Sequence, residues 1–102
     1  MDKQPYIILS DRFRLLRLAL CDICLLEVVK GTDKCRIVTA HGAFIIRIRL
    51  GEVKKRLDER FVYATRSSIV NRDKIIEVDK RERTMLLIGG ITCPYTRLFT
   101  FK

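Results

Sequence analysis

The chain has 102 residues, of which 48% are hydrophobic and 32% charged, and carries a formal net charge of +9 at pH 7. That length suits one domain with one core, here residues 1–102, and the apolar content excludes a disordered chain. A membrane span needs roughly 18 unbroken apolar residues, and Arg12, Arg14, Arg17, Asp22 and Glu27 interrupt the N-terminal half.

Residues 1–5 are polar and lead into no long apolar core, so no secretory signal is expected and a cytoplasmic location is. Residues 6–9 are a β-rich run closed by the turn formers Ser10 and Asp11. Residues 12–18 alternate through Arg12, Phe13, Arg14 and Leu15, and the two runs read as one hairpin; the alternative is a helix from Asp11 with Phe13, Leu16, Leu20 and Cys24 on one face. Residues 23–29 are a near-continuous apolar run, as in a strand buried on both faces, with Glu27 inside it in need of a partner. Residues 30–34 form a loop around Gly31. Residues 35–39 form a strand that turns through Ala40, His41 and Gly42 into a strand over 43–49. There Phe44, Ile46 and Ile48 share one face and Ile45, Arg47 and Arg49 the other.

Leu50, Val53, Leu57 and Phe61 then fall at helical spacing, which predicts a helix over 50–57, weakened by Gly51 and poorly capped by Arg49. The stretch 61–71 closes on the turn formers Asn71, Arg72 and Asp73 and carries the pair Arg66-Ser67. Residues 74–79 and 84–88 read as strands around a charged tip, 80–83. Gly89-Gly90 reads as a two-residue turn, and 91–93 pairs back until Pro94, which has no amide to donate. Residues 95–97 follow as a loop or short helical turn, and the apolar residues of 98–101 pack back on the core. The fold class is mainly β: about eight to ten short antiparallel strands in small sheets, with one or two short helices.

Few residues suggest catalysis. The chain has no Gly-rich phosphate loop, no pair of histidines and no G-x-S-x-G motif, so it does not read as an enzyme and calls for no cofactor. Cys21 and Cys24 have the gap of a zinc knuckle, but no second pair follows, and free thiols in a reducing compartment fit better than a metal site. The single His41, beside Gly42, reads as a turn residue.

The charge is informative instead. Residues 1–44 hold seven Lys/Arg against five Asp/Glu, and residues 45–102 fourteen against seven. A basic excess gathered in part of a small domain points to a polyanion partner, with a plain solvated basic surface as the alternative. Arg66 and Arg97 stand on loops, where a guanidinium can donate two parallel hydrogen bonds to guanine O6 and N7. Ser67, Thr65 and Thr96 could hold phosphate oxygens. On the residues alone the competing reading is equally strong: Arg66 paired with Glu27 or Asp73, and Arg97 with Glu77 or Asp79.

The ordered set of features resembles the LytTR DNA-binding domain, the output module of many LytR/AgrA-type bacterial response regulators in two-component systems. A strand turns through His41-Gly42 into an aromatic-led strand from Phe44. A helix on Leu50, Val53 and Leu57 follows, then Phe61. The Arg-Ser-x-x-Val-Asn element is Arg66, Ser67, Val70 and Asn71, with Lys74-Ile75 behind it, and the terminal Ser/Thr-Arg is Thr96-Arg97. The chain departs from the pattern at Thr65, where His is frequent, at Thr96 after the bulky Tyr95, and at Arg49, where Ser is usual.

The resemblance implies a sequence-specific regulator that binds and bends promoter DNA through loops in successive major grooves. By position Arg66 and Arg97 become base readers, with Lys34 a candidate in a loosely matched loop. Phosphate contacts are assigned to Thr65, Ser67, Tyr95, Thr96, Lys54, Arg72, Lys74, Lys80 and Arg81, and Asn71 to capping a turn. Double-stranded DNA is the expected partner, without a membrane, with a homodimer on repeated half-sites and a receiver domain in a longer parent chain. The rival reading is a LytTR-like interaction module that restrains a partner regulator without binding DNA. A weaker third is an RNA-binding β domain, which would want exposed aromatics.

Overall fold

A computed structural model describes residues 6–100 of the chain; the polar start at 1–5 and Phe101 lie outside the described residues. Ten short antiparallel strands form three sheets, joined by one short helix and two single-turn 3₁₀ segments.

The first sheet is the hairpin of β1 (Tyr6–Ser10) and β2 (Leu15–Ala19), with Tyr6 opposite Ala19 and Ser10 opposite Leu15. The helix weighed for Asp11 onward does not form. Strand β2 starts at Leu15 rather than Arg12, because the Asp11 carboxylate accepts the Phe13 and Arg14 N–H groups at 2.9 and 3.0 Å and rolls residues 11–14 into a turn.

The central sheet has the order β5-β4-β3-β7-β6. Its strands are β3 (Ile23–Val28), β4 (Cys35–Thr39), β5 (Gly42–Ile46), β6 (Phe61–Thr65) and β7 (Ser68–Asn71). It is the middle layer. On one face Leu26, Ile37, Ile46, Phe61 and Ile69 pack with the β1–β2 hairpin and with helix α1 (Leu50–Lys54). On the other, Leu25, Ala64 and Val70 pack against Met85, Leu87 and Cys93 of the third sheet. A register shift between Ile23 and Leu25 turns Cys24 and Leu25 to the same face, which is why the apolar run 23–29 does not alternate. Glu27 finds its partner in Arg36, directly opposite on β4, at 3.0 Å.

Helix α1 is three residues shorter than its apolar spacing suggests. Arg49 gives no side-chain cap, and the Arg56 and Leu57 N–H groups bond carbonyls three residues back, which tightens the last turn. Leu50 and Val53 still bury their side chains.

The third sheet, order β10-β9-β8, comprises β8 (Ile75–Asp79), β9 (Thr84–Leu87) and β10 (Ile91–Pro94). Its second turn has three residues rather than two: Leu87 faces Ile91, the Gly90 N–H bonds the Leu87 carbonyl, and Ile88 is left half exposed. Gly89 and Gly90 both have positive φ, +93° and +80°, which a side chain would resist. Pro94 is the last residue of an edge strand, where its missing donor costs little.

Cys24, Cys35 and Cys93 are buried and Cys21 is exposed. Burial raises the first three thiols, Cys93 to about 11. A thiol reagent at about pH 8 should therefore modify Cys21 in the native protein and the other three after denaturation. Rapid native labelling of more than one cysteine would contradict that burial.

Candidate nucleic-acid interface

Antiparallel order decides which loops share an end of the central sheet. Glu27 faces Ser68, Cys35 faces Val28 and Ile46, and Thr65 faces Ser68. The 29–34 loop, the chain leaving β5 and the 66–67 turn therefore project from one end. Strand ends about 4.8 Å apart make this row roughly 20 Å wide.

The 66–67 turn is built by its own hydroxyls. Thr65 Oγ1 accepts the Ser67 N–H at 3.1 Å and lies 2.8 Å from Ser68 Oγ, and the Ser67 carbonyl accepts the Val28 N–H at 2.9 Å. Backbone is thereby fixed on both sides of Arg66. The third sheet delivers the second arginine. β6 is an edge strand that bulges at Ala64, and the Ala64 carbonyl accepts the Thr96 N–H at 2.8 Å. Tyr95 anchors the same segment: its N–H bonds the Arg83 carbonyl, and its ring, only 9% exposed, meets Phe99 at 5.5 Å between centroids. The result is one recess of about 440 Å³ lined by Thr65, Arg66, Ser67, Thr96, Arg97 and Leu98.

Both guanidiniums at this recess are exposed. Among the described residues neither forms an ion pair, and the acids proposed for them are engaged elsewhere or placed apart. Glu27 pairs with Arg36, Asp79 caps the 80–83 tip through the Arg81 and Glu82 N–H groups, Glu77 stands on β8, two strands from β10, and Asp73 follows the opposite end of β7. By contrast, Arg47 is paired with Asp33 at 2.6 Å and Arg60 with Asp58 at 3.0 Å.

The remaining expected residues divide by position. Lys34 is exposed at the same sheet end, one loop away from Arg66. Lys80 and Arg81 cap the β8–β9 tip, at the end from which β10 leaves toward Arg97. Lys54 lies on α1 with its ammonium 5.9 Å from the Tyr63 ring centroid. Arg72 and Lys74 fall in the 3₁₀ turn at the other end of β7. Arg49, read from the sequence as a poor helix cap and not as a DNA contact, borders a recess with Lys34 and is exposed; its place on the non-core face of 43–49 was the available signal. His41 is in the expected turn, yet its Nε2 lies 3.4 Å from Asp22, an acid 19 positions away in sequence.

Asn71 is fully buried. Its Oδ1 accepts the Asp73 N–H at 2.9 Å and its Nδ2 donates to the Ile23 carbonyl at 2.8 Å, so it caps the turn into β8 and ties β7 to the start of β3. Among the described residues no group of three or more His, Cys, Asp or Glu is placed to hold a metal ion, and no helix is long and apolar enough to cross a membrane.

The family model for the LytTr DNA-binding domain matches residues 14–100, nearly the whole chain. The chain belongs to the LytTR DNA-binding domain family. This LytTR domain shares its fold with the solved LytTr DNA-binding domain of a Bacillus cereus response regulator, at a TM-score of 0.75 and 17% identity over 93% of this chain and 89% of that one. No curated protein matches the sequence. LytTR domains are non-catalytic modules typical of bacterial response regulators, and DNA is their partner.

Proposed function

We propose that this LytTR domain is the sequence-specific DNA-binding part of a bacterial transcriptional regulator, with Arg66 and Arg97 reading base edges in the major groove. One observation carries the reading: two exposed guanidiniums, without ion pairs among the described residues, stand over one recess on backbone held by hydrogen bonds. Free donors on fixed backbone are what bidentate contact with guanine requires, since ordering a mobile loop would oppose binding. Lys34 is the third base contact, from the neighbouring loop. Ser67, Thr96, Lys80 and Arg81 take phosphates along the same flank, while Thr65 shapes its turn and Tyr95 anchors its segment.

Lys54, Arg72 and Lys74 lie away from that row, and a straight duplex laid across the row would leave Arg72 and Lys74 unused. A duplex bent around the domain would bring its phosphates to them, so their position supports bending. Two copies on repeated half-sites, and a receiver domain elsewhere in a longer parent chain, complete the proposal.

The test is selection of sites from a randomised duplex pool across a salt series. Wild type should yield a motif, and Arg66→Ala should relax it at one position at a cost of about 1–3 kcal/mol. Arg81→Ala should keep the motif and reduce the salt slope by about 1. An unchanged motif with Arg66→Ala would remove that residue as a reader, and no binding at low salt would favour the partner-restraining module.

A further inference from the structure

We propose that the turn bearing Arg12 and Phe13 is an additional DNA-contacting element. It would lie on duplex flanking the segment read by Arg66 and Arg97, with Arg12 on a phosphate and Phe13 against the sugars and base edges of the adjacent minor groove. The inference rests on the DNA-binding reading above and extends it to residues outside the family match, which begins at Arg14.

Position is the first support. Asp11 Oδ2 accepts the Arg47 N–H at 3.1 Å, and the Arg14 guanidinium donates to the Ile45 carbonyl. These bonds fasten the turn beside the end of β5, the same end that carries the 29–34 loop, and Phe13 and Arg14 share a recess with Lys34 and Arg47. The turn thus continues the row of loops on the side away from Arg97. With three to four strand spacings between β5 and the 66–67 turn, it stands about half a helical turn of a duplex, roughly 17 Å, from Arg66.

Chemistry is the second. Phe13 is 84% exposed, an unusual state for an aromatic, and the Arg12 guanidinium lies 5.5 Å from its ring centroid. The turn's single acid does not oppose a phosphate freely, because the Asp11 carboxylate is taken by three backbone N–H groups. A rigid turn presenting one cation and one apolar ring is the combination that minor-groove binders use, the ring as a wedge and the cation as a phosphate anchor. A second copy of this chain fits less well. A two-fold contact would bring Arg12 and Arg17 against their own counterparts with no free acid on the hairpin to offset them.

The experiment compares wild type with the Arg12→Ala/Phe13→Ser double variant on two duplexes: the selected motif alone, and the motif with about 10 base pairs, one helical turn, added on each side. Both substitutions are on exposed turn positions, so the fold should be retained, which circular dichroism checks. On the long duplex the variant should bind about tenfold more weakly, the size of one well-made contact. It should also lose hydroxyl-radical protection at one outer edge only. On the motif alone the two proteins should bind equally. Equal binding and identical footprints on the long duplex would overturn the proposal, leave the Arg66 reading standing, and assign the ring, with the exposed Ile8 and Leu15 of the same hairpin, to a protein contact. Equal losses on both duplexes would also overturn it, as an effect not local to the flank. Absence of any motif with wild type would overturn both readings.

Discussion

Phe61→Ala is expected to lower the unfolding free energy by about 3–5 kcal/mol. Phe61 is 1% exposed, opens β6, faces Asn71 across the ladder, and fills the face of the central sheet that α1 and the β1–β2 hairpin cover. Truncation removes the transfer energy of the ring and leaves a cavity that three elements would have to close together. They are held by hydrogen bonds that resist such movement: the Arg56 guanidinium donates to the Ile8 carbonyl, and the Phe61 N–H to the Asp58 carbonyl. A domain of this size has about 5–15 kcal/mol in all, so the variant should be marginal. Urea unfolding followed by circular dichroism measures it. A loss below about 1.5 kcal/mol at unchanged m-value would mean that the site collapses and that Phe61 is not central to the core.

The second large effect is at Asn71. Asn71→Ala should cost about 2–4 kcal/mol, from the lost cap on the Asp73 N–H and the Ile23 carbonyl left without its donor in the interior. Asn71→Leu, which restores volume without polarity, should recover little, because the unmet carbonyl and N–H persist. Asn71→Asp separates the two halves of the role. The carboxylate keeps the acceptor but confronts the Ile23 carbonyl without a donor, so its pKa in the folded state is raised above the unfolded value of about 3.9. Its stability relative to wild type should therefore be best below that pH and fall as pH rises through the folded pKa. A pH-independent deficit would show that the donor to Ile23 contributes nothing. The functional consequence follows from the chain path: Asn71 directs the backbone into β8, and the sheet that β8 begins carries Arg97 to Arg66. Asn71→Ala should weaken DNA binding without touching DNA.

Much of this was legible from neighbours in sequence. Asp11 before a short turn, Gly89-Gly90 and Asn71 ahead of Asp73 each shape a turn through backbone within three residues, and that part needs no knowledge of the rest of the fold; the bonds from Asp11 to Arg47 and from Asn71 to Ile23 do. The switch from alternation in β5 to helical spacing at Leu50 and Val53 was equally local, and the ordered motif from His41 to Arg97 indicated the family. Errors gathered at ends: α1 stops early, β2 starts late, β5 ends at Ile46 rather than Arg49 and the Gly turn gains a residue. Termini are set by competition between a few hydrogen bonds of similar strength, which periodicity does not resolve.

What the sequence left even was the state of its arginines. Arg36 and Arg47 are paired and, among the described residues, Arg66 and Arg97 are not, yet composition and spacing treat all four alike. The outcome depends on strand order and register, which placed Arg36 opposite Glu27, Arg47 beside Asp33, and no acid beside Arg66. Tyr95 went into the core for the same reason, because the third sheet packs its end against β6. Local chemistry determined the strands, turns and family of this chain. Long-range pairing alone decided which cations face outward together, because an ion pair is a property of distance in space and not of distance along the chain.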